Sequence, residues 1–235
     1  MKTSVIIPCY NEEENLRKLF VSWIENIKGQ EFEVIFVENG STDNSKEVLK
    51  ELALQFEEYS KNFKVLVLDI NQGYGGGIQK GLDVATGDIL SWCHADGQVD
   101  ITSIIMALEE YKKLSNYDVV LKGKRRNRNN FDLFFTKMMT IIVRLFTGFL
   151  LNDINAQPKI FSKNIYKNQF LEKDFLFDLD FLLYQRKDGV EIKEVEVANL
   201  PRLRGKAKGG GSLIGKIKLS YKTLIYLINL YEYRN

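Results

Sequence analysis

Residues 89–98 (ILSWCHADGQ) concentrate side chains able to do chemistry. The stretch opens apolar, as a buried parallel strand does. It then turns polar at His94, Asp96 and Gln98, with Gly97 allowing a tight turn. In open α/β sheets, ligands bind just beyond the carboxyl ends of the strands. A His-x-Asp at such a place presents two metal-competent side chains. Asp96 suits oxygen-rich coordination of Mg²⁺ or Mn²⁺, completed by phosphate and water. An Asp before Gly is also an ordinary turn, so the chemistry depends on what accompanies Asp96.

Other chemistries fit less well. His94 is the only histidine, so a Ser-His-Asp triad would have to use it, and no nucleophile elbow is present. One His with two scattered cysteines, Cys9 and Cys93, does not make a zinc site. The glycine loop at 73–78 gives the first two glycines of a dinucleotide fingerprint but has Ile78 in place of the third. It follows the third predicted strand, and no acidic residue closes another strand about 20 positions later. The Walker pattern is absent.

The elements that must position these residues alternate. Residues 4–12 (SVIIPCYNE) read as a short strand stopped by Pro8, followed by a helix capped by Asn11. Residues 32–37 and 64–68 read as the next strands. Between them lie the polar turn 38–43 and a helix capped by Thr42 or Asp43. The glycine loop 71–77 leads into a helix ending near Ala85. Further helices are expected over 101–114, 175–184 and 214–231, and further strands over 117–121 and 190–197, the last an edge-type strand. Alternation of this kind predicts an α/β, Rossmann-like, mostly parallel sheet flanked by helices. Right-handed crossovers collect Tyr10, Glu12, Glu38, Asn39, the glycine loop and residues 94–98 along one rim.

Composition sets the bounds. The chain has 235 residues, 45% apolar and 27% charged, as in an ordinary globular protein. A net charge of +2 is too small for a general nucleic-acid binder. Cations cluster, five in seven residues over 122–128 and four in seven over 202–208. Such runs are solvated faces, or sites for phosphate or anionic lipid. The two cysteines imply no disulfide framework and suggest a reducing compartment. No signal peptide is expected, and no run approaches the ~18 apolar residues of a membrane helix. Residues 131–151 are dense in Phe, Leu, Ile and Met, which suits either a buried helix pair or a helix in a membrane interface.

The order of motifs resembles the family 2 glycosyltransferases, particularly the dolichol-phosphate mannose synthase-like branch. Residues 4–12, 36–43 (FVENGSTD), 71–77 (NQGYGGG) and 94–98 (HADGQ) carry the likeness, and 153–161, Asp180 with Gly189, and 204–208 (RGKAK) continue it. The resemblance implies a GT-A fold over 1–212, with 213–235 a basic amphipathic helix packed on it or appended. It implies an inverting transfer of sugar from a nucleotide-sugar donor, with Mg²⁺ or Mn²⁺. Pro8, Tyr10, Glu12, Glu38, Asn39 and Gly75 would hold the nucleotide, Asp96 the metal with His94 beside it, and Gln98 would lie near the sugar or diphosphate. Asp153 and Asp180 would face the acceptor, either serving as a base, and Arg125, Arg204 and Lys208 would meet phosphates.

Three departures from the family pattern stand out: His94 replaces its first motif aspartate, Glu38-Asn39 its acidic pair, and Gln157-Pro158-Lys159 its Gly-Phe-Arg. The acceptor is expected to be a polyprenyl phosphate, on an enzyme peripheral to the inner face of the membrane in the cytoplasm. The alternatives are a carbohydrate hydroxyl in surface-polysaccharide assembly, or nucleotide binding without catalysis. A homo-oligomer is compatible with the sequence.

Overall fold

The computed structural model describes residues 1–27, 31–126, 130–167, 170, 172–202 and 212–232. Seven strands form one sheet: β1 (Thr3–Cys9), β2 (Phe32–Asn39), β3 (Phe63–Leu68), β4 (Ile89–Trp92), β5 (Val119–Arg125), β6 (Lys159–Ser162) and β7 (Glu191–Val197). Their order is β3-β2-β1-β4-β6-β5-β7. All pairings are parallel except those of β6, which runs antiparallel to β4 and β5. The expected mostly parallel sheet is therefore present, and β7 is an edge strand.

The helices are α1 (Glu13–Ile27), α2 (Ser45–Gln55), α3 (Gly73–Asp83), α4 (Ile101–Lys112), α5 (Asn130–Thr147), α6 (Phe177–Lys187) and α7 (Leu213–Glu232). Alternation along the central strands feeds two cores. Val5, Ile7, Val34 and Phe36 pack with Leu16, Phe20 and Trp23 of α1 and with Leu108 of α4. Ile6, Ile35 and Val37 pack on the opposite face with Ile78 and Leu82 of α3 and with Phe181 of α6. Both faces are covered, which is why these strands read as continuous apolar runs.

Several local expectations change. Pro8 does not stop β1; it lies inside the strand, paired with Val37 and beyond the last β4 pairing at Ile6. Asn11 does not cap α1. It adopts φ 52°, its amide oxygen accepts from Thr42 N at 2.8 Å, and its backbone N–H donates to Ser41 Oγ at 3.0 Å. The carbonyl of Glu12 takes the first helical bonds instead, from Asn15 and Leu16. The glycine loop runs into the first turn of α3 rather than ending before it, and glycines are required on this helix where it packs closely. A Cβ on Gly75 would lie 2.4 Å from Phe177 Cβ, and one on Gly81 2.4 Å from Ile6.

Residues 131–151 form one helix and its exit, not a buried pair. Only Thr140 and Val143 of α5 are buried, and Phe134, Ile141 and Leu145 are more than half exposed. No helix among the described residues is long and apolar enough to cross a membrane.

Candidate active site

Three polar turns at the carboxyl edge of β1, β2 and β3 are fastened to one another. Glu12 N donates to Ser45 Oγ at 2.9 Å, Asn44 N to Glu13 Oε2 at 2.9 Å, and Glu13 N to Asp43 Oδ2 at 3.3 Å. Asp43 also accepts from Ser45 N at 2.9 Å, at the start of α2. Asn39 then bridges to α3, accepting from Gln72 N at 3.0 Å and donating to Gly73 O at 2.8 Å. An amide can do both at once where a carboxylate cannot, so Asn39 is suited to this bridge. Glu38 is buried and accepts from Ser41 N at 2.7 Å, which shapes the turn.

A cavity of about 960 Å³ opens along this edge. Pro8, Tyr10, Glu12 and Asn39 border it from the first two turns, and His94 and Asp96 from the end of β4. Asp96 is buried; its Oδ1 accepts from Gln98 N at 3.0 Å and its Oδ2 from Arg202 Nη2 at 3.0 Å. The other Arg202 terminal nitrogen lies 3.6 Å from Glu12 Oε1. Gln98 delivers this arginine: its carbonyl accepts from Leu200 N at 2.7 Å, beside the bridge pairing Val99 with Asn199. Gln98 thus acts on the site through its backbone and is not among the lining residues.

The floor carries a buried charge pair. Asp178 of α6 lies 3.1 Å from Lys159 Nζ and accepts from Trp92 Nε1 at 3.1 Å and from Gln157 Nε2. Gln157 Nε2 also donates to Tyr74 OH at 2.9 Å. Burial lowers the Lys159 pKa to about 8, with Asp178 partly offsetting it. Burial and then the Asp178 charge hold the Tyr74 hydroxyl protonated well above its usual range. Burial likewise lowers His94, so its imidazole is neutral near pH 7.

The far wall is α7, through Gly215, Lys218, Leu219, Tyr221 and Lys222. It is tied to the body by Tyr226 OH donating to Asp180 Oδ1 at 2.8 Å and by Lys222 Nζ 2.9 Å from Asp174. Lys216 pairs with Asp132 of α5.

Some expected positions move. Asp180 points to Tyr226 and is not a lining residue; Asp178, two positions earlier and so turned away from it around α6, is. Asp153 is buried against Arg125, accepting from its backbone and guanidinium, so neither Asp153 nor Arg125 faces the cavity. Of the same run, Lys122 and Lys124 pair with Glu194 and Arg126 with Glu196, and Arg128 lies outside the described residues. Gly75 packs on α6 rather than bordering the cavity. Arg204 and Lys208 lie outside the described residues. Sequence reasoning missed Arg202, Asp178, Lys218 and Lys222. Asp178 had one signal, a carboxylate in register with Leu182 and Gln185 on the inward stripe of its helix.

The family model for glycosyl transferase family 2 matches residues 4–178. The chain belongs to that family. This family 2 chain is 32% identical, over 96% of its length and 68% of the relative's, to the undecaprenyl-phosphate 4-deoxy-4-formamido-L-arabinose transferase of Proteus mirabilis (strain HI4320). It is 26% identical, over 99% of its length and 76% of the relative's, to a dolichyl-phosphate beta-glucosyltransferase of Trichomonas vaginalis (strain ATCC PRA-98 / G3). Among solved structures it resembles glucosyl-3-phosphoglycerate synthase from Mycobacterium tuberculosis in complex with Mn²⁺, UDP and glucosyl-3-phosphoglycerate. That likeness has a TM-score of 0.66 at 16% identity, over 97% of this chain and 78% of that one. The family 2 chain therefore has the GT-A fold expected of it.

The donor set can be tested against a divalent ion on its own chemistry. No group of three or more His, Cys, Asp or Glu among the described residues could hold a metal unaided. Asp96 and His94 border the cavity together, and the other buried carboxylates on its lining, Glu12 and Asp178, lie against Arg202 and Lys159. That is too little for a closed protein cage and fits an ion whose remaining ligands are phosphate oxygens and water.

Proposed function

We propose that the chain is an inverting glycosyltransferase that moves a sugar from a nucleotide donor to a polyprenyl phosphate. One observation carries this reading. A single cavity joins an acidic donor end, Glu12 and Asp96, to a wall of α7 that offers Lys218 and Lys222 beside an exposed apolar stripe of Ile214, Ile217, Tyr221 and Ile225.

The nucleoside sits against Pro8, Tyr10 and Asn39, on turns that the Asn11, Glu13 and Asp43 bonds make rigid. UDP is the first nucleotide to try, since it is the one named in the structural relative. Mg²⁺ or Mn²⁺ held by Asp96 and the diphosphate would neutralise charge on the departing oxygens. Arg202, placed at Asp96 and Glu12, supplies a fixed cation to the same leaving group. A phosphate acceptor is already ionised near pH 7, so it needs orientation by cations rather than a base, and Lys218 and Lys222 provide it. Asp178 stays paired with Lys159 and shapes the floor.

The polyprenyl chain and the bilayer meet the outer faces of α5 and α7. On α5 apolar residues alternate there with Lys137 and Arg144, the pattern of a helix bound at an anionic membrane surface. The described residues would thus bind peripherally, at the cytoplasmic face.

The test is transfer of label. The purified chain is incubated with labelled UDP-, GDP-, CDP- and dTDP-sugars, a polyprenyl phosphate and Mn²⁺, then extracted with organic solvent. Label in the organic phase is expected, and Asp96→Asn should lower it by roughly 10²-fold or more with an unchanged melting midpoint. Label only in water-soluble glycan would replace the lipid acceptor with a carbohydrate hydroxyl. Binding of donor without turnover on either acceptor would make the protein a nucleotide binder.

A further inference from the structure

The sheet sets two lysines against each other. Lys122 of β5 and Lys159 of β6 are register partners, so their side chains leave the same face of the sheet, and both are inaccessible. Like charges directly opposite repel. Each is held from its far side by a carboxylate, Lys122 by Glu194 of β7 at 3.3 Å and Lys159 by Asp178 of α6 at 3.1 Å. Together they also carry one turn. Lys122 Nζ donates to Asp153 O at 3.4 Å and Lys159 Nζ to Ala156 O at 2.8 Å, and Asn155 of that turn borders the cavity. Asp178 borders it too, whereas neither lysine nor Glu194 is among the lining residues. A row of charges, Glu194, Lys122, Lys159 and Asp178, thus runs from the edge strand to the cavity floor.

We propose that Lys122 is a positioning residue of the donor site: acting across the sheet through Lys159, it sets how long Asp178 stays neutralised as protons are withdrawn, and with that the alkaline limit of donor binding. The proposal rests on the reading above, in which the cavity takes an anionic nucleotide-sugar. While Lys159 is charged, Asp178 adds no net negative charge to the floor. Once Lys159 loses its proton, a bare carboxylate borders the space that the diphosphate enters and opposes it. Burial brings Lys159 down to about 8; Asp178 and Asp153 act against that loss, and Lys122 adds to it. Burial lowers Lys122 as well, and Glu194 counters it. The two lysines therefore titrate as a pair. Of the other groups gathered around them, Asp153 is paired with Arg125, Tyr74 keeps its proton and His94 is neutral.

The purified chain is titrated calorimetrically with UDP-, GDP-, CDP- and dTDP-sugars and Mg²⁺, at steps from about pH 6.5 to about pH 9. Affinity should hold near neutrality and fall on the alkaline side, around pH 8. Lys122→Met removes the opposing charge and strands no other, since Glu194 keeps Lys124 at 3.4 Å. Its affinity near neutrality should be unchanged, and the fall should move to higher pH by roughly half a unit or more. Glu194→Gln should move it the same way by less, because Lys122 without its partner gives up its proton first; this variant decides alone if Lys122→Met does not fold. A loss of affinity equal at every pH would mean that Lys122 only supports the fold, and would overturn the proposal. So would donor binding whose alkaline fall is absent or unmoved in the variants. Each of these leaves the donor reading standing, whereas no donor binding at any pH overturns both.

Discussion

Arg202 lies with a guanidinium nitrogen 3.0 Å from Asp96 Oδ2, and its other terminal nitrogen reaches towards Glu12. A cation supplied by the chain thus stands where two acidic groups from different turns converge. Arg202→Met should separate its two effects. Mn²⁺ affinity in the absence of nucleotide should rise several-fold, because Asp96 no longer carries an internal partner. Sugar transfer should fall roughly 10²-fold, because a fixed positive charge near the leaving group is gone. Calorimetry and initial rates measure the two; full turnover in this variant would remove Arg202 from the reaction.

Asp178 and Lys159 are both essentially inaccessible and 3.1 Å apart. Removing one partner of such a pair strands the other charge, at a cost of about 3–5 kcal/mol. Asp178→Leu and Lys159→Met should each lower stability to urea by about that much. The double variant should be less destabilised than the two losses added together, since no lone charge remains. Additive losses would show that the ion pair is not what couples the two residues.

The outer face of α5 should report on the lipid reading. Ile141→Glu with Leu145→Glu changes two exposed side chains and no core contact, so the melting midpoint should hold within a degree or two. Co-sedimentation with vesicles rich in anionic lipid should drop several-fold, as should transfer to a long-chain polyprenyl phosphate. Transfer to a short, water-soluble analogue should be spared. Equal loss on both acceptors would argue against membrane docking by this face.

At the opposite edge of the sheet, Glu33 is inaccessible yet charged. Burial alone would raise its pKa, but Lys64, Ser4 and Thr86 together hold it down to about 2. Unfolding returns it to near 4.5. The folded state therefore binds its proton less readily than the unfolded one, and stability falls as pH drops from about 4.5 to 2. Glu33→Gln should lose stability at neutral pH and show a flatter decline across that window in urea titrations at stepped pH.

Much of this was legible in the residues. The strands declared themselves through apolar runs, and the four polar turns fall where a right-handed α/β winding puts them. The position of Asp96 at the mouth of β4 follows from Ile89, Leu90 and Trp92 being buried immediately before it. What was not legible depended on long-range pairing. Nothing local reveals that Arg125 spends its charge on Asp153, 28 positions away, or that Lys122 and Lys159 are buried. Helix phase decided between Asp178 and Asp180, which at 3.6 residues per turn stand about 200° apart around α6. Likewise Asn11 matched a capping residue by type, but Ser41 and Thr42 on the neighbouring turn claimed it first.

Residues 8–12 and 218–222 border the same cavity although more than two hundred positions separate them. During synthesis the sheet's first half can form and bury its apolar faces long before α7 has been made. The enclosure that would keep water from a reactive sugar is then finished last. Activity should consequently appear only on completion of α7, so that a nascent chain able to grip a nucleotide is still unable to spend it.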